Sequence, residues 1–187
     1  MQNGQLRIYL EGTLFAAIAI ILSLIPLGIG SSYSISLGTI PLAFYAVRRG
    51  LVPGIFAGFI WGILHFLLGT AVVLTFWQAT IEYVIAFTVL GFTGYNSSKI
   101  QKLIKENHMD KAGRAIVLAT IVGSLFRYFW HFVAGVIFWG EYAVWGLDPV
   151  TFSLLFNGAS MISTIVVTVI VLLILLKRAP RMFIPQR

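Results

Sequence analysis

The sequence predicts an all-α integral membrane protein: a single six-helix bundle with both termini in the cytoplasm. Three observations carry that prediction. With 59% apolar and only 10% charged residues, the chain has too little polar surface for a water-soluble domain. Its apolar runs, at 13–29, 51–75, 79–94, 115–139 and 160–176, approach or exceed the ~17–25 residues that cross a bilayer as a helix. Its Lys and Arg residues also alternate along the chain as a polytopic protein requires. All but Arg127 fall at Arg7, at Arg48 and Arg49, between Lys99 and Arg114, or between Lys177 and Arg187. With six spans these places share one side, and the positive-inside rule makes that side cytoplasmic.

Span 1, residues 9–29, follows Arg7 like the apolar part of a leader, but no small-x-small cleavage site lies near residue 30, so it reads as a retained helix. It holds two small-xxx-small pairs, Gly12/Ala16 and Thr13/Ala17, which allow close helix approach. They serve either packing within the bundle or docking of a partner protein. Loop 1, from Gly28 to Ser34, is rich in Gly and Ser and is either a mobile lid or a plain connector. Span 2, residues 35–47, is short, with Gly38 and Pro41 inside it.

Span 3, residues 51–69, opens with Pro53, a residue favoured in a first helical turn. Trp61 and His65 share one of its faces, where they line a pocket or sit in the aromatic interface belt. Span 4, residues 71–96, carries Glu82 deep inside an apolar run, beside Phe76, Trp77, Gln78 and Tyr83. A carboxylate at that depth costs at least ~2.5 kcal/mol, which marks a functional residue by default. A polar, basic cytoplasmic loop follows. Span 5, residues 112–138, carries Arg127 and His131 one turn apart, with Trp139 beyond. Span 6, residues 151–177, brings Asn157 into the membrane about two turns from its start.

These positions converge. Trp61, Glu82, His131, Trp139 and Asn157 all fall in the outer half of the bundle, whereas the inner half reads as a closed apolar plug. A pocket of rings with one acid, one imidazole and one amide suits a cationic or amino-heterocyclic ligand. Bland roles stand beside the functional ones: an ion pair with Arg127 for Glu82, an interhelical hydrogen bond for His131, helix glue for Asn157.

The absence of cysteine removes disulfides, thiolate metal sites and Cys nucleophiles. The net charge of +7 is met by anionic lipid headgroups and not by nucleic acid, because it is confined to one side. No cofactor and no metal are expected. A metal-dependent intramembrane enzyme would have to assemble His65, His131 and Glu82 without a paired-His helix motif to support it.

Several stretches resemble one family. They are Leu37–Gly50, Trp61–Gly69, Ile81–Phe87, Arg127–Ala143 and Ser153–Gly158, with His131-Phe-Val-Ala-Gly-Val-Ile-Phe-Trp-Gly the most specific. In them the chain resembles the thiamine-specific substrate-binding (S) subunits of energy-coupling-factor (ECF) transporters. The resemblance implies a six-helix ECF S-component that binds thiamine at its outer face. In it Glu82 meets the aminopyrimidine, Trp61, His131 and Trp139 supply ring and cation contacts, Asn157 gives a hydrogen bond, and Tyr83 stands beside Glu82. It also implies that span 1 docks, through Gly12, Thr13, Ala16 and Ala17, on a transmembrane coupling subunit driven by two cytoplasmic ATPases. Family members carry a Tyr where this chain has Phe152, and a loop 1 Trp for which Tyr33 is the nearest counterpart. The chain has no Gly-x-x-x-x-Gly-Lys-Ser/Thr motif of its own with which to use ATP. Competing readings are an S-component for another vitamin or a thiamine precursor, and a self-sufficient proton-coupled carrier relaying through Glu82 and His131.

Overall fold

A computed structural model describes residues 2–29 and 33–185. Helix α1 (Gln2–Ser23) leads into a two-residue antiparallel ladder, β1 (Gly28–Ile29) with β2 (Tyr33–Ser34). Helices α2 (Thr39–Arg49) and α3 (Leu51–Leu67) follow, joined only by Gly50, whose φ of 97° suits a residue without a side chain. The fourth span is composite: α4 (Phe76–Ala79), a π-helical turn (Thr80–Ile85), α5 (Ala86–Val89) and a 3₁₀ segment (Leu90–Gly94). A short helix α6 (Ser97–Lys105) precedes α7 (Met109–Phe138), and α8 (Pro149–Arg178) ends in a 3₁₀ turn (Pro180–Phe183).

The starts of these elements follow from local chemistry. Thr75 caps α4, its hydroxyl accepting from the Gln78 N–H at 3.1 Å. Asp148 caps α8 by accepting from the Val150 and Thr151 N–H groups, and Pro149 takes the first helical position. The long apolar helices turn residues such as Leu10, Leu14, Ile162, Ile170 and Ile174 outward, as a lipid-facing bundle does.

Helices α1, α7 and α8 are long and apolar enough to cross a membrane, and α3 is a shorter apolar helix. The composite fourth span differs from the single helix expected over 71–96. Residues 71–75 are not helical, because Gln78 takes over their backbone groups: its Nε2 donates to the Val72 carbonyl and its Oε1 accepts from Leu74 N–H. The basic loop after span 4 holds a helix, α6, whose Ile100 and Ile104 are buried against the bundle. The ladder β1–β2 is an addition to the all-α expectation, and residues 30–32 of the expected lid lie outside the described residues.

Two buried apolar clusters make up the core. One gathers Phe44, Ile100, Ile116, Leu172, Leu176 and Phe183. The other is centred on Tyr45, Ala57, Trp61, Phe87 and Leu90. The expected apolar plug needs correction at its base. Glu11 accepts from Arg48 Nε at 2.7 Å and from Arg49, and Arg48 also donates to the carbonyls of Met182 and Ile184. One carboxylate thus ties α1, the end of α2 and the chain's tail together.

The expected docking face on α1 is also divided. Gly12 and Ala16 are buried, and a Cβ on Gly12 would lie 2.8 Å from the Tyr45 hydroxyl oxygen, so this pair serves internal packing. Thr13 stays exposed and Ala17 half-buried. Replacing Glu11 by Ala leaves two guanidiniums without their shared acceptor. The expected loss of stability is roughly 1–3 kcal/mol, read as a lower Tm in detergent, and an unchanged Tm would show that the clamp is dispensable.

Candidate ligand-binding site

A cavity of about 490 Å³ opens at the end of the bundle opposite the Lys and Arg clusters. The ends of α1, α3 and α7, the start of the fourth span and the first turns of α8 bound it, with loop 1 across them. Of the residues expected in a site, Glu82, Tyr83, His131, Trp139 and Asn157 line this cavity. His65, Arg127 and Phe152 line it too.

Glu82 is held by neutral donors. Trp139 Nε1 donates to its Oε1 at 2.8 Å, and Gln78 Nε2, one turn back on the same helix face, donates to its Oε2. Gln78 is fully buried and was legible only as an amide near the acid. Its position four residues before Glu82 is the signal that would have singled it out. The ion pair with Arg127 does not form: Glu82 takes part in none of the salt bridges among the described residues.

Arg127 is 4% exposed and turns elsewhere. Its Nη1 donates to Ser36 Oγ at 3.0 Å and to Thr39 Oγ1 at 2.6 Å. Its guanidinium carbon lies 4.8, 4.5 and 5.4 Å from the ring centres of Trp61, Phe87 and Tyr128. A desolvated cation over an aromatic face gains ~2 kcal/mol or more, so three rings and two hydroxyls stabilise a charge that no carboxylate meets, while its Nε is left without a hydrogen-bond partner.

Trp61 therefore has a different place from the one expected. It is fully buried, outside the cavity lining, donating its indole N–H to Ser23 Oγ at 3.2 Å and packing edge-on against Phe87 at 4.3 Å. The helical spacing that put it on the face of His65 was right, but Arg127 is what it faces. His65 pairs through Nδ1 with Thr70 Oγ1 at 2.9 Å and contacts the Tyr83 ring at 5.4 Å.

The other polar groups point inward or hold the rim. Asn157 Nδ2 donates to the His131 carbonyl and to Ser153 Oγ, so it does join α7 to α8, while its side chain still reaches the cavity. The Tyr83 hydroxyl accepts from Val72 N–H at 2.9 Å. Over the mouth, Tyr33 donates to Ser163 Oγ, and the N–H groups of Ser34 and Ser36 donate to the hydroxyls of Ser160 and Thr164. Among the described residues no group of three His, Cys, Asp or Glu side chains could hold a metal ion.

A multi-pass bundle whose half-buried, ring-flanked carboxylate faces a small cavity has the form of a membrane protein built to hold a small polar or cationic molecule. The family model described as Thiamine transporter protein (Thia_YuaJ) matches residues 9–184, and the chain belongs to that family. It is 41% identical over 189 residues to the thiamine transporter ThiT of Lacticaseibacillus paracasei, covering 99% of this chain and 94% of that protein. It is 28% identical over 184 residues to ThiT of Bacillus subtilis, covering 97% and 96% respectively. Its fold matches a solved structure of ThiT from Listeria monocytogenes with a TM-score of 0.96 and 47% identity, over 97% of this chain and all of that one. The chain is accordingly a multi-pass plasma-membrane protein of a transporter family and not an enzyme.

Arg127→Met keeps an unbranched chain among the three rings and leaves Ser36 and Thr39 without their donor. Stability is expected to fall by roughly 1–3 kcal/mol as those bonds and the cation–ring contacts are lost. A thermal melt of the purified variant matching the parent's would refute that role.

Proposed function

We propose that this chain is the thiamine-binding substrate-specificity subunit of an ECF-type importer and that the vitamin occupies the cavity bounded by Glu82, His131, Trp139 and Asn157. The observation that carries this reading is Glu82, a carboxylate at membrane depth on the cavity wall with only an amide and an indole as partners. Thiamine joins an aminopyrimidine, which presents donors suited to a carboxylate, to a cationic thiazolium ring, which suits aromatic faces. The cavity offers both, and its one guanidinium is already engaged by rings and hydroxyls. The family to which the chain belongs, and the names of its relatives, support the same ligand.

In this reading Glu82 takes the aminopyrimidine, Trp139 and His131 flank the rings, Tyr83 shapes the wall beside Glu82, and Asn157 supplies a hydrogen bond. Trp61 acts from behind the wall, as a seat for Arg127. Phe152, where a tyrosine hydroxyl was expected from the family, gives an apolar surface instead. Without a phosphate-binding loop the chain draws its energy from partners: a transmembrane coupling subunit and two cytoplasmic ATPases. On α1, Thr13 and Ala17 remain accessible for that contact.

Thiamine is expected to quench tryptophan fluorescence saturably and to raise the Tm of the purified protein. Glu82→Gln should weaken binding by about tenfold or more, as a charged hydrogen-bond partner is lost, while the ligand-free protein still melts cooperatively. Micromolar thiamine that changes neither signal would defeat the assignment, and competition by hydroxymethylpyrimidine or riboflavin would redirect it.

The cavity faces outward in this reading. Because the chain has no cysteine, single cysteines report orientation directly. A cysteine at Trp145 should react with an impermeant maleimide added to intact cells, and one at Ser98 only after lysis. The reverse pattern would put the cavity mouth in the cytoplasm.

A further inference from the structure

Helix α3 and the fourth span touch backbone to backbone along three successive turns. A Cβ built on Gly62 would sit 1.9 Å from the Tyr83 carbonyl oxygen and 3.0 Å from its carbonyl carbon. One turn earlier, a Cβ on Gly58 would sit 2.3 Å from the Phe87 carbonyl oxygen, and one on Gly54 3.0 Å from that of Gly91. Gly91 is equally closed, 2.2 Å from the Ile55 nitrogen. Side chains can swing aside from such a clash, but backbone carbonyls cannot unless the helix itself moves.

The three glycines do not meet the same kind of structure. Gly54 and Gly58 face the 3₁₀ segment and α5, whereas Gly62 faces the π-helical turn Thr80–Ile85, which carries Glu82. In that turn the Ala86 N–H bonds back to the Ile81 carbonyl, five residues earlier, so one extra residue is accommodated. That insertion turns the residues before it, Gln78 included, relative to the regular helix beyond, and Glu82 sits within the widened turn itself. From there Glu82 accepts from Trp139 across the cavity and from Gln78 on its own span. The widened turn brings the Tyr83 carbonyl into the space where any other residue at position 62 would have a Cβ.

We infer that Gly62 is a positioning residue for the ligand site: by leaving room for the Tyr83 carbonyl it sustains the π-helical turn and so aims Glu82. It touches no ligand and acts through the backbone of its neighbour. The inference rests on the proposed pairing of Glu82 with the aminopyrimidine, and its test separates the two.

The measurement compares thiamine with oxythiamine, in which an oxygen replaces the exocyclic amino group, on the parent, Gly62→Ala and Gly58→Ala. The parent should prefer thiamine by about tenfold or more, the scale of a charge-assisted hydrogen bond. In Gly62→Ala that preference should fall toward unity, with thiamine affinity down about tenfold or more in protein that still melts cooperatively. In Gly58→Ala the Tm falls and the preference is kept, because α5 shifts without releasing the turn. A folded Gly62→Ala that keeps the parent's preference overturns the inference, and so does one that fails to fold, which marks an ordinary packing glycine. A parent with no preference would instead overturn the Glu82 pairing. The Trp139 emission, isolated by difference against Trp139→Phe in each background, then decides Gly62: a shift on Gly62→Ala upholds its role and identical emission removes it.

Discussion

A carboxylate and a guanidinium wall the same cavity without meeting, and the arrangement of the ligand end depends on keeping them apart. A buried pair left to itself would close, since the attraction between opposite charges grows as the dielectric falls. Here each charge has neutral partners of its own instead. Arg127 is drawn down among Trp61, Phe87 and Tyr128 and tied to Ser36 and Thr39. Glu82 is held above by Gln78 and Trp139. Neutral donors make the difference: they stabilise a carboxylate without neutralising it, which an ion pair would not allow.

The same solvent logic arranges the opposite end. There a charge cluster closes the bundle, with Glu11 shared between Arg48 and Arg49 and Arg48 reaching the carbonyls of the tail. At the cavity mouth the ties to α8 from loop 1 and the residues just after it are single bonds between neutral groups, from Tyr33, Ser34 and Ser36. Hydrogen bonds to charged groups are worth about twice neutral ones. The charged ties thus sit at the end carrying the Lys and Arg clusters and the neutral ones across the mouth of the cavity.

Much of this was legible in the sequence because the membrane makes polar residues expensive. Trp61, Glu82, His131, Trp139 and Asn157 could be picked out singly, and alternating loop charge placed them at one depth, where the cavity gathers all but Trp61. What failed was direction around the helix axis. Trp61 and Arg127 lie on different spans, and no spacing within either says that one ring will hide beneath the other's guanidinium. Glu11 went unremarked inside span 1, because only the fold brings Arg48 and Arg49 from another helix to it.

The small-xxx-small rule was read on α1, where Gly12 and Ala16 do pack within the bundle, and not on α3, where the longer run lies. Gly12 and Ala16 form one such pair, but the space over Gly12 is filled by a side chain, the ring of Tyr45, which any helix can supply. Gly54, Gly58 and Gly62 form a run of three at the same spacing, and backbone lies against all three, joined at Gly54 by the Ala46 Cβ. A pair of small residues leaves a dent that a ring can plug, whereas three in register leave a groove that only a main chain follows for its length. The length of the run, more than its composition, is therefore what marks a helix whose neighbour depends on it. On α3 that neighbour carries the carboxylate on the cavity wall.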